Sequence, residues 1–271
     1  MQTAIFGVGL RAQHYARLEQ DLETGLDWFE ILTENHLGSH GRPRQILEQL
    51  QPRYPLGFHG VALNIASHEP LDFDYLTLLR DFIRDHEPIL VSDHLCWTGL
   101  QQANLHNLLP IPYNPATLDY LAGRIRTVQD FLGREIALEN LSAYVGFTST
   151  SMSEWDFLAQ LAQKADCYLL VDINNLYVNS VNHGFDPKVY LDGLPAERIV
   201  QYHLAGYSDT GGFLFDTHSR PVYPAVWELY AYALKTKGMR PTLIEWDEDI
   251  PDFATLEAEA LKARKIWEDL Q

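Results

Sequence analysis

A short apolar run that ends in polar residues occurs at Tyr168-Leu169-Leu170-Val171-Asp172-Ile173-Asn174-Asn175. A run of this length, rich in Leu and Val, predicts a strand that is buried on both faces, as strands in parallel sheets are. Polar side chains that follow such a strand lie at its carboxyl end, where α/β proteins build their sites. The same arrangement recurs along the chain, and its recurrence predicts the fold.

Seven further apolar runs resemble this one in length and are separated from each other by amphipathic segments. The full set of predicted strands is Ala4–Val8, Trp28–Leu32, Leu56–Val61, Ile89–His94, Ile136–Glu139, Tyr168–Ile173, Ile199–His203 and Thr242–Trp246. Eight strand–helix units in 271 residues predict an α/β protein with a single (β/α)8 barrel domain over residues 1–271. The rival fold is an open doubly wound sheet. Gly7-Val8-Gly9 follows the first strand, but no third glycine completes a dinucleotide-binding turn, so we favour the barrel.

The segments between the strands carry helix signals. Apolar residues recur at three- and four-residue steps over residues 75–83 and again over 118–132, where Gly133 provides a C-cap. Ser153 with Asp156 resembles a capping box at the start of another helix, and the final helix is predicted over Phe253–Leu270. These patterns place a helix after several of the strands, as the barrel requires.

Composition and charge narrow the class of protein. Hydrophobic residues make up 46% of the chain and charged residues 21%, which is typical of a globular protein. We find no signal peptide and no apolar run near the roughly 18 residues of a membrane span, so we expect a cytoplasmic protein without a membrane partner. Cys96 and Cys167 are expected to be reduced and buried. A net charge of −17 and a pI of about 4.9 disfavour nucleic acid as a partner.

Six successive predicted strands, the third to the eighth, end in histidine or carboxylate residues. In strand order these residues are His59, Asp93 and His94, Glu139, Asp172 with Asn175, His203 and Glu245, and the loop after the seventh strand adds Asp216 and His218. A lone residue of this kind often caps a helix or pairs with an arginine. Four imidazoles and several carboxylates in one barrel mouth are costly to bury unless cations neutralise them. The sequence therefore predicts a metal centre.

The types of donor limit the metal. Nitrogen and oxygen donors without thiolate fit Fe, Mn or Zn, whereas Mg and Ca prefer oxygen alone. The candidate ligands are more than one ion can use, so we expect two or three ions, with Glu139 as the best candidate for a bridge. Together with the two family resemblances given next, these donors lead us to predict nine metal ligands: His59, His94, Glu139, Asp172, Asn175, His203, Asp216, His218 and Glu245.

The order of these ligands resembles the trinuclear zinc site of the endonuclease IV group, which belongs to the xylose-isomerase-like barrels. Asn175 stands where that group has a histidine. An amide is a poorer ligand for zinc than an imidazole, so this difference argues against zinc-dependent cleavage of phosphodiesters.

A second resemblance covers nearly the whole chain and is carried by ten short motifs. They are Gly7-Val8-Gly9-Leu10-Arg11, Glu30 to Glu34-Asn35, His59-Gly60-Val61, Ser92-Asp93-His94-Leu95, Leu138-Glu139-Asn140, Asp172 to Asn175, Asn182-His183, His203-Leu204-Ala205-Gly206, Asp216-Thr217-His218-Ser219 and Glu245-Trp246-Asp247. Together they resemble the multinuclear non-haem iron-dependent oxidases. The resemblance implies an iron centre, mixed Fe(II)/Fe(III) when active, for which Zn or Mn are possible substitutes. It also implies O2-dependent modification of cysteine in a ribosomally made precursor peptide, and a separate partner protein that recognises that peptide.

Further residues receive roles beside the ligands. We expect Asp93 and His183 to be supporting groups or proton carriers, and Arg11 to reach into the mouth and bind a peptide carboxylate or a site Glu. Asp247 and Glu34 are expected behind the ligands rather than among them. Of the other histidines, His36 and His106 are placed on loops around the mouth, and the rest are assigned to surface or structure: His14, His40, His68 and His86.

Two other functions remain open at this point. One is a metal-dependent hydrolase of phosphoesters, by analogy with the endonuclease-type site. The other is a sugar isomerase or epimerase, which uses the same barrel with two carboxylate-bound ions. The net charge and Asn175 argue against the first, and the excess of histidine argues against the second, but fold analogy alone does not decide.

Overall fold

A computed structural model describes residues 5–100 and 103–271. Eight parallel strands form a closed barrel in which each strand pairs with its neighbours in sequence, and the eighth pairs with the first. The first to eighth barrel strands, in chain order, are Phe6–Gly9, Trp28–Leu32, Leu56–Gly60, Leu90–His94, Ala137–Glu139, Tyr168–Asp172, Ile199–Leu204 and Thr242–Ile244. The predicted barrel is thus confirmed, and each strand bound lies within two residues of its predicted position. Ala4, where the first strand was expected to begin, lies outside the described residues.

Nine α-helices lie in the described part of the chain. They span Tyr15–Gln20, Arg42–Leu50, Phe73–His86, Pro115–Leu132, Glu154–Ala165, Ile173–His183, Pro187–Gly193, Pro224–Lys237 and Phe253–Glu268. The expected caps are present, since Gly133 ends its helix in the left-handed conformation and the Ser153 hydroxyl accepts a hydrogen bond from the Asp156 amide. In that part of the chain, no helix has the length and apolarity needed to cross a membrane.

Two hairpins extend the loops at the carboxyl ends of the barrel strands, and the sequence reasoning did not anticipate either one. The longer hairpin pairs Trp97–Leu100 with Ala103–Leu109 after the fourth barrel strand. The shorter pairs Ser208–Asp209 with Leu214–Phe215 after the seventh. Both hairpins belong to the face of the barrel where the predicted ligands lie.

The lower part of the barrel interior is filled by Trp28, which is fully buried. Glycines on both neighbouring strands make room for its ring. A Cβ at Gly7 would lie 2.5 Å from Trp28 Nε1, and a Cβ at Gly57 would lie 2.5 Å from Trp28 Cζ3. Alternate residues of a strand share a face, so Glu30 follows Trp28 into the barrel one layer higher. Both cysteines, Cys96 and Cys167, are buried free thiols, as predicted.

Candidate metal centre

The ends of the third, fourth and fifth strands bring His59, His94 and Glu139 together. His59 Nε2 lies 3.1 Å and His94 Nε2 3.2 Å from Glu139 Oε2, and the two ring nitrogens are 3.3 Å apart. His94 Nδ1 lies 3.0 Å from the carbonyl oxygen of Gly60, which can only accept, so Nδ1 carries the proton. In the neutral ring of His94, Nε2 then carries a lone pair that faces His59 and Glu139. His59 is oriented in a similar way by Ser92, whose hydroxyl lies 2.8 Å from His59 Nδ1.

A second group forms around His203, which is fully buried at the end of the seventh strand. Its Nδ1 lies 2.9 Å from Glu245 Oε2 and 3.2 Å from Glu139 Oε1. Its other ring nitrogen, Nε2, lies 3.1 Å from Glu30 Oε1, and Glu30 in turn accepts a 2.6 Å hydrogen bond from Gln201. A carboxylate behind a histidine is the usual support of a metal-binding imidazole. Nδ1 is therefore the nitrogen of His203 that faces the candidate centre.

Asp172 and Asn175 enter the same region from the sixth strand and the helix that follows it. Asp172 caps this helix by accepting a 2.6 Å hydrogen bond from the Asn175 amide at Oδ1. The Asn175 side-chain amide donates to the carbonyl of Asn140, 3.1 Å away. Each residue is thereby fixed with one side-chain oxygen left over, Oδ2 of Asp172 and Oδ1 of Asn175.

A third group lies on the loop after the seventh strand. His218 Nε2 lies 2.6 Å from Asp216 Oδ1, and His218 Nδ1 lies 3.2 Å from Asp247 Oδ2 and 3.4 Å from Glu245 Oε2. Asp216 is also held by Ser142 and Asn174, which donate to its two oxygens. Asp247 thus lies as close to His218 as Glu245 does, although the sequence reasoning placed Asp247 behind the ligands.

Several buried oxygen and nitrogen atoms of these groups, which could serve as metal ligands, have no hydrogen-bond partner within the described part of the chain. They are both carboxylate oxygens of Glu139, Asp172 Oδ2, Asn175 Oδ1 and His218 Nε2. Some lie at ion-pair distance from a neighbour but are not aligned with it, as expected of lone pairs that face a shared centre. Three sets of donors each lie within 4.8 Å of one another: His59, His94 and Glu139; Glu139, Asp172, His203 and Glu245; and His218, Glu245 and Asp247. These unsatisfied atoms fit two or three cations.

Electrostatics reflect the same crowding of charge. Burial disfavours the charged form of each group, yet three imidazoles hold the pKa of Glu139 below its usual range. Against burial, the carboxylates of Glu139 and Glu30 raise the pKa of His59 to about 9. Burial and the carboxylate of Glu34 raise the pKa of Asp93 to about 8.

The structure separates the three other predicted site residues from the ligands to different degrees. Asp93 is buried and points away from the mouth. Its carboxylate accepts hydrogen bonds from the backbone amides of Leu63 and His94. Arg11 lines the mouth and pairs with Asp247. His183 is exposed at the end of its helix, with Nε2 2.6 Å from the carbonyl oxygen of Ala143, and does not line the mouth.

The metal-side cavity opens above these groups and has a volume of about 950 Å3. Its floor includes His59, His94 and Glu245, and its walls come from loops around the carboxyl ends of the strands. His36 and His106 both line it, which confirms their predicted placement around the mouth. The volume lies in the range of about 300–1,000 Å3 that is usual for ligand sites.

Sequence reasoning gave no role to Glu30 and Gln201, which support His203 from below. Glu30 stands between Phe29 and Ile31 inside an apolar strand, and that isolated charge was the signal that could have found it. Gln201 carries no comparable signal, because a neutral amide is unremarkable in a strand.

Comparison with known proteins gives the relationship of the whole chain. Residues 5–268 match a family described as RiPP precursor modification enzymes MbnB/TglH/ChrH, where RiPP denotes a ribosomally synthesised, post-translationally modified peptide. A UPF0276 protein of Acaryochloris marina is 51% identical over 95% of this chain and 92% of its own length. Another, from Anaeromyxobacter, is 46% identical over 96% of this chain and 92% of its own.

Solved structures agree in fold at low sequence identity. D-psicose 3-epimerase from Clostridium cellulolyticum has a TM-score of 0.64 at 13% identity, covering 97% of this chain and 98% of its own. A xylose isomerase-like TIM barrel protein from Mycobacterium smegmatis, in complex with magnesium, has a TM-score of 0.60 at 15% identity. The likeness covers 98% of this chain and 96% of that protein. Endonuclease IV from Thermus thermophilus has a TM-score of 0.60 at 15% identity, and the likeness covers 98% of this chain and 100% of that protein. These likenesses show a xylose-isomerase-like barrel. The family match over residues 5–268 shows that this chain belongs to the MbnB/TglH/ChrH family of RiPP precursor modification enzymes.

Proposed function

We propose that this chain is an O2-dependent oxidase that holds two or three iron ions and modifies cysteine residues of a ribosomally made precursor peptide. The observation that carries the proposal is the convergence of unpartnered buried donors at the barrel mouth. The donors are imidazole, carboxylate and amide groups without thiolate, a set that suits iron and is poorly matched to magnesium or calcium. Membership of a family that modifies precursor peptides supplies the class of substrate.

Seven of the nine candidate ligands would hold the ions in three overlapping sets, while Asn175 and Asp216 lie beside these sets, next to Asp172 and His218. Glu139 belongs to two of the sets and Glu245 to two, so these carboxylates are the candidates for bridges. Asp247 would join His218 as a tenth donor. Iron, when bound, would supply one-electron chemistry with O2 and a position that favours the deprotonated thiol of the substrate.

The chain's own groups prepare the site. The Gly60 carbonyl fixes the tautomer of His94, and Ser92 orients His59. Glu30 would fix His203 with Nδ1 towards the centre. Most of these side chains are fully or nearly buried, so a ligand can approach them only through the mouth of the cavity.

The direct test is mass spectrometry of a cysteine-containing precursor peptide after incubation with the iron-loaded chain and an electron source. A separate peptide-recognition protein, which we also propose, is added where one is encoded nearby. We expect a mass change under air, none under argon, and none for a peptide with serine in place of cysteine, because a hydroxyl is far harder to deprotonate than a thiol and so is a poorer metal ligand. Loss of four hydrogens would indicate a heterocycle, and loss of a carbon would indicate excision.

Two variants accompany this test. Glu139→Gln removes the charge from the centre of the site while keeping its shape, so we expect loss of most iron and of the product. His40→Ala changes an exposed histidine and should retain both. Turnover that is equal without O2, or equal on the serine peptide, would contradict the oxidase.

The two alternative functions gain no support at the sequence level. The epimerases and endonuclease IV share the fold at 11–19% identity, whereas the relatives at 51% and 46% identity are UPF0276 proteins. A shared fold does not imply a shared function, because one barrel hosts many chemistries. We therefore propose neither a phosphoester hydrolase nor a sugar isomerase.

A further inference from the structure

A second cavity, the apolar pocket, has a volume of about 560 Å3 and lies beside the longer hairpin. This volume is several times the roughly 150 Å3 of an engineered cavity that holds one benzene ring. Its floor is formed by the buried side chains of Ile111 and Leu121, and its edges by the partly exposed rings of Tyr120 and Phe147. The pocket is therefore open to a ligand and has an apolar base.

The chemistry of its lining selects apolar ligands. The Tyr120 hydroxyl donates to the Ser67 carbonyl at 2.6 Å, and Trp97 Nε1 donates to the Pro110 carbonyl at 3.0 Å. The polar ends of both rings are thus satisfied within the protein, and their apolar faces remain for the pocket. No Asp, Glu, Lys or Arg lines it within residues 5–100 and 103–271. The polar lining residues are Ser67, His68 and Thr117. A charged ligand would lose its hydration there without meeting an oppositely charged Asp, Glu, Lys or Arg side chain.

Two segments of chain form walls of both cavities. On the longer hairpin, Asn107 and Leu108 line the metal-side cavity, whereas Trp97 lines the apolar pocket. On the loop after the fifth barrel strand, Tyr144 lines the metal-side cavity and Phe147 lines the apolar pocket. The two cavities are therefore neighbours on one rim of the barrel, with the longer hairpin between them.

We propose that the apolar pocket is a subsite for an apolar side chain of the precursor peptide, a few residues away from the cysteine that is modified. This inference rests on the proposed function, which places that cysteine in the metal-side cavity. The residues that flank the cysteine must leave through the mouth, and the hairpin and loop that form walls of the mouth also form walls of the apolar pocket. A two-stranded hairpin is roughly 10 Å wide, and an extended chain rises about 3.3 Å per residue. The apolar residue then lies about three positions from the cysteine.

The test measures binding, so it does not depend on turnover. Fluorescein-labelled nine-residue peptides of Gly and Ser carry a central cysteine and one leucine, placed in turn at each position up to four from the cysteine. Fluorescence anisotropy with the full chain gives the dissociation constants, with and without chelator. We expect one position at which leucine binds at least about tenfold more tightly than serine, and glutamate no better than serine.

Matched variants locate the effect. Ala116→Phe fills the pocket from the second residue of its helix, where the side chain is exposed, and should abolish the preference for leucine. Ala254→Phe makes the same change at the second residue of the helix Phe253–Glu268, also exposed but away from both cavities, and should retain it. Phe147→Ser, at the exposed edge of the pocket, should weaken the preference without threatening the core.

Several outcomes would overturn the inference while leaving the proposed oxidase intact. One is the absence of any position that prefers leucine in a chain that still modifies its precursor. Another is an unchanged preference in Ala116→Phe. A third is a change of oligomeric size in Ala116→Phe, which would assign the pocket to a second copy. Conversely, a preference for leucine that Ala116→Phe removes, in a chain that fails to oxidise cysteine, would support the subsite and refute the oxidase.

Discussion

Glu30 acts on the candidate centre without lying among the candidate ligands, because it holds the far side of the His203 ring at 3.1 Å. We predict that Glu30→Gln weakens metal binding by roughly 10–100-fold, since the amide no longer offers a charged acceptor that fixes the imidazole. Competition with a chromogenic chelator would measure the affinity. Glu19→Gln, a change at a carboxylate on the outer surface that pairs with Arg42, is the control and should leave the affinity unchanged. Equal affinities in the two variants would show that Glu30 has no part in the site.

His36 gives the metal-free protein a specific sensitivity to acid. Burial, together with the charge of His86, lowers the pKa of His36 to about 4 from an ordinary 6.5. A histidine with a depressed folded-state pKa stabilises the fold above pH 6.5, and that contribution is lost as the pH falls from 6.5 towards 4. Between pH 7 and pH 5, the protonation of His36 in the unfolded chain lowers the free energy of unfolding by about 2 kcal/mol.

We predict that His36→Gln makes the free energy of unfolding less dependent on pH over this interval, as measured by urea unfolding of chelator-treated protein at pH 7 and pH 5. His40→Gln, at an exposed position, should behave like the unaltered chain. An unchanged pH dependence in His36→Gln would mean that this imidazole is hydrated in solution.

Single residues at the strand ends could be predicted because their position follows from the period of the strand and from the direction of the chain. His59, Glu139 and His203 each stand at or next to the last residue of a barrel strand. The pairing between ring atoms and carboxylates could not be predicted, since it depends on side-chain rotamers and on the stagger of neighbouring strands. For the same reason the sequence did not reveal that Asp247 lies within reach of His218.

At the scale of elements, the loop that carries Asp216 and His218 is anchored by a backbone-to-backbone contact. A Cβ at Gly206 would lie 2.2 Å from the carbonyl oxygen of Arg220 and 2.5 Å from that of Pro221. We predict that Gly206→Ala lowers the free energy of unfolding by about 1–3 kcal/mol and reduces metal content, because backbone atoms must move to admit the methyl group. Urea unfolding and elemental analysis would measure the two effects.

Gly123→Ala is the matched control. No heavy atom lies within 4 Å of a Cβ at this position, which is inside the helix Pro115–Leu132. Alanine should stabilise the chain there by about 0.5–1 kcal/mol. A Gly206→Ala protein as stable as the unaltered chain would show that the loop can move away at little cost.

The barrel strands were predictable because each is a compact apolar run. Two helices, Phe73–His86 and Pro115–Leu132, were predictable from their three- and four-residue period. The hairpins were not predictable from the same signals. The strands of the shorter hairpin have two residues each, too few for alternation to be seen. The longer hairpin departs from regular pairing between Trp97 and Gly99. Both elements owe their form to tertiary contacts rather than to local pattern.

For the whole molecule, the number of unpartnered donors predicts the metal content. We expect about two to three metal equivalents, with iron prominent, in protein purified without chelator. Elemental analysis would provide the count. Less than about half an equivalent of total metal would contradict a multinuclear site, whereas zinc alone after growth with added iron would weaken only the oxidase.

Removal of the metal should also destabilise the barrel, because the candidate ligands come from six of its eight strands. A site at 100 times its dissociation constant contributes about 2.7 kcal/mol to stability. We predict that chelation lowers Tm by about 5 °C or more in differential scanning calorimetry. Restoring iron should reverse the shift. The same Tm with and without chelator would mean that the ions do not link the strands.

The strictly sequential order of the barrel strands has a consequence for biosynthesis. About 190 residues separate His59 from Glu245, which corresponds to roughly 10 to 40 seconds on the ribosome. During that interval the nascent chain holds some ligands and lacks others, and the eighth strand that seals the barrel has not yet been made. An ion captured early would meet an incomplete and solvent-exposed set of donors. Insertion of the proposed ions would therefore follow translation of the eighth strand, and the ions available in the cell at that moment would decide which metal the completed site takes up.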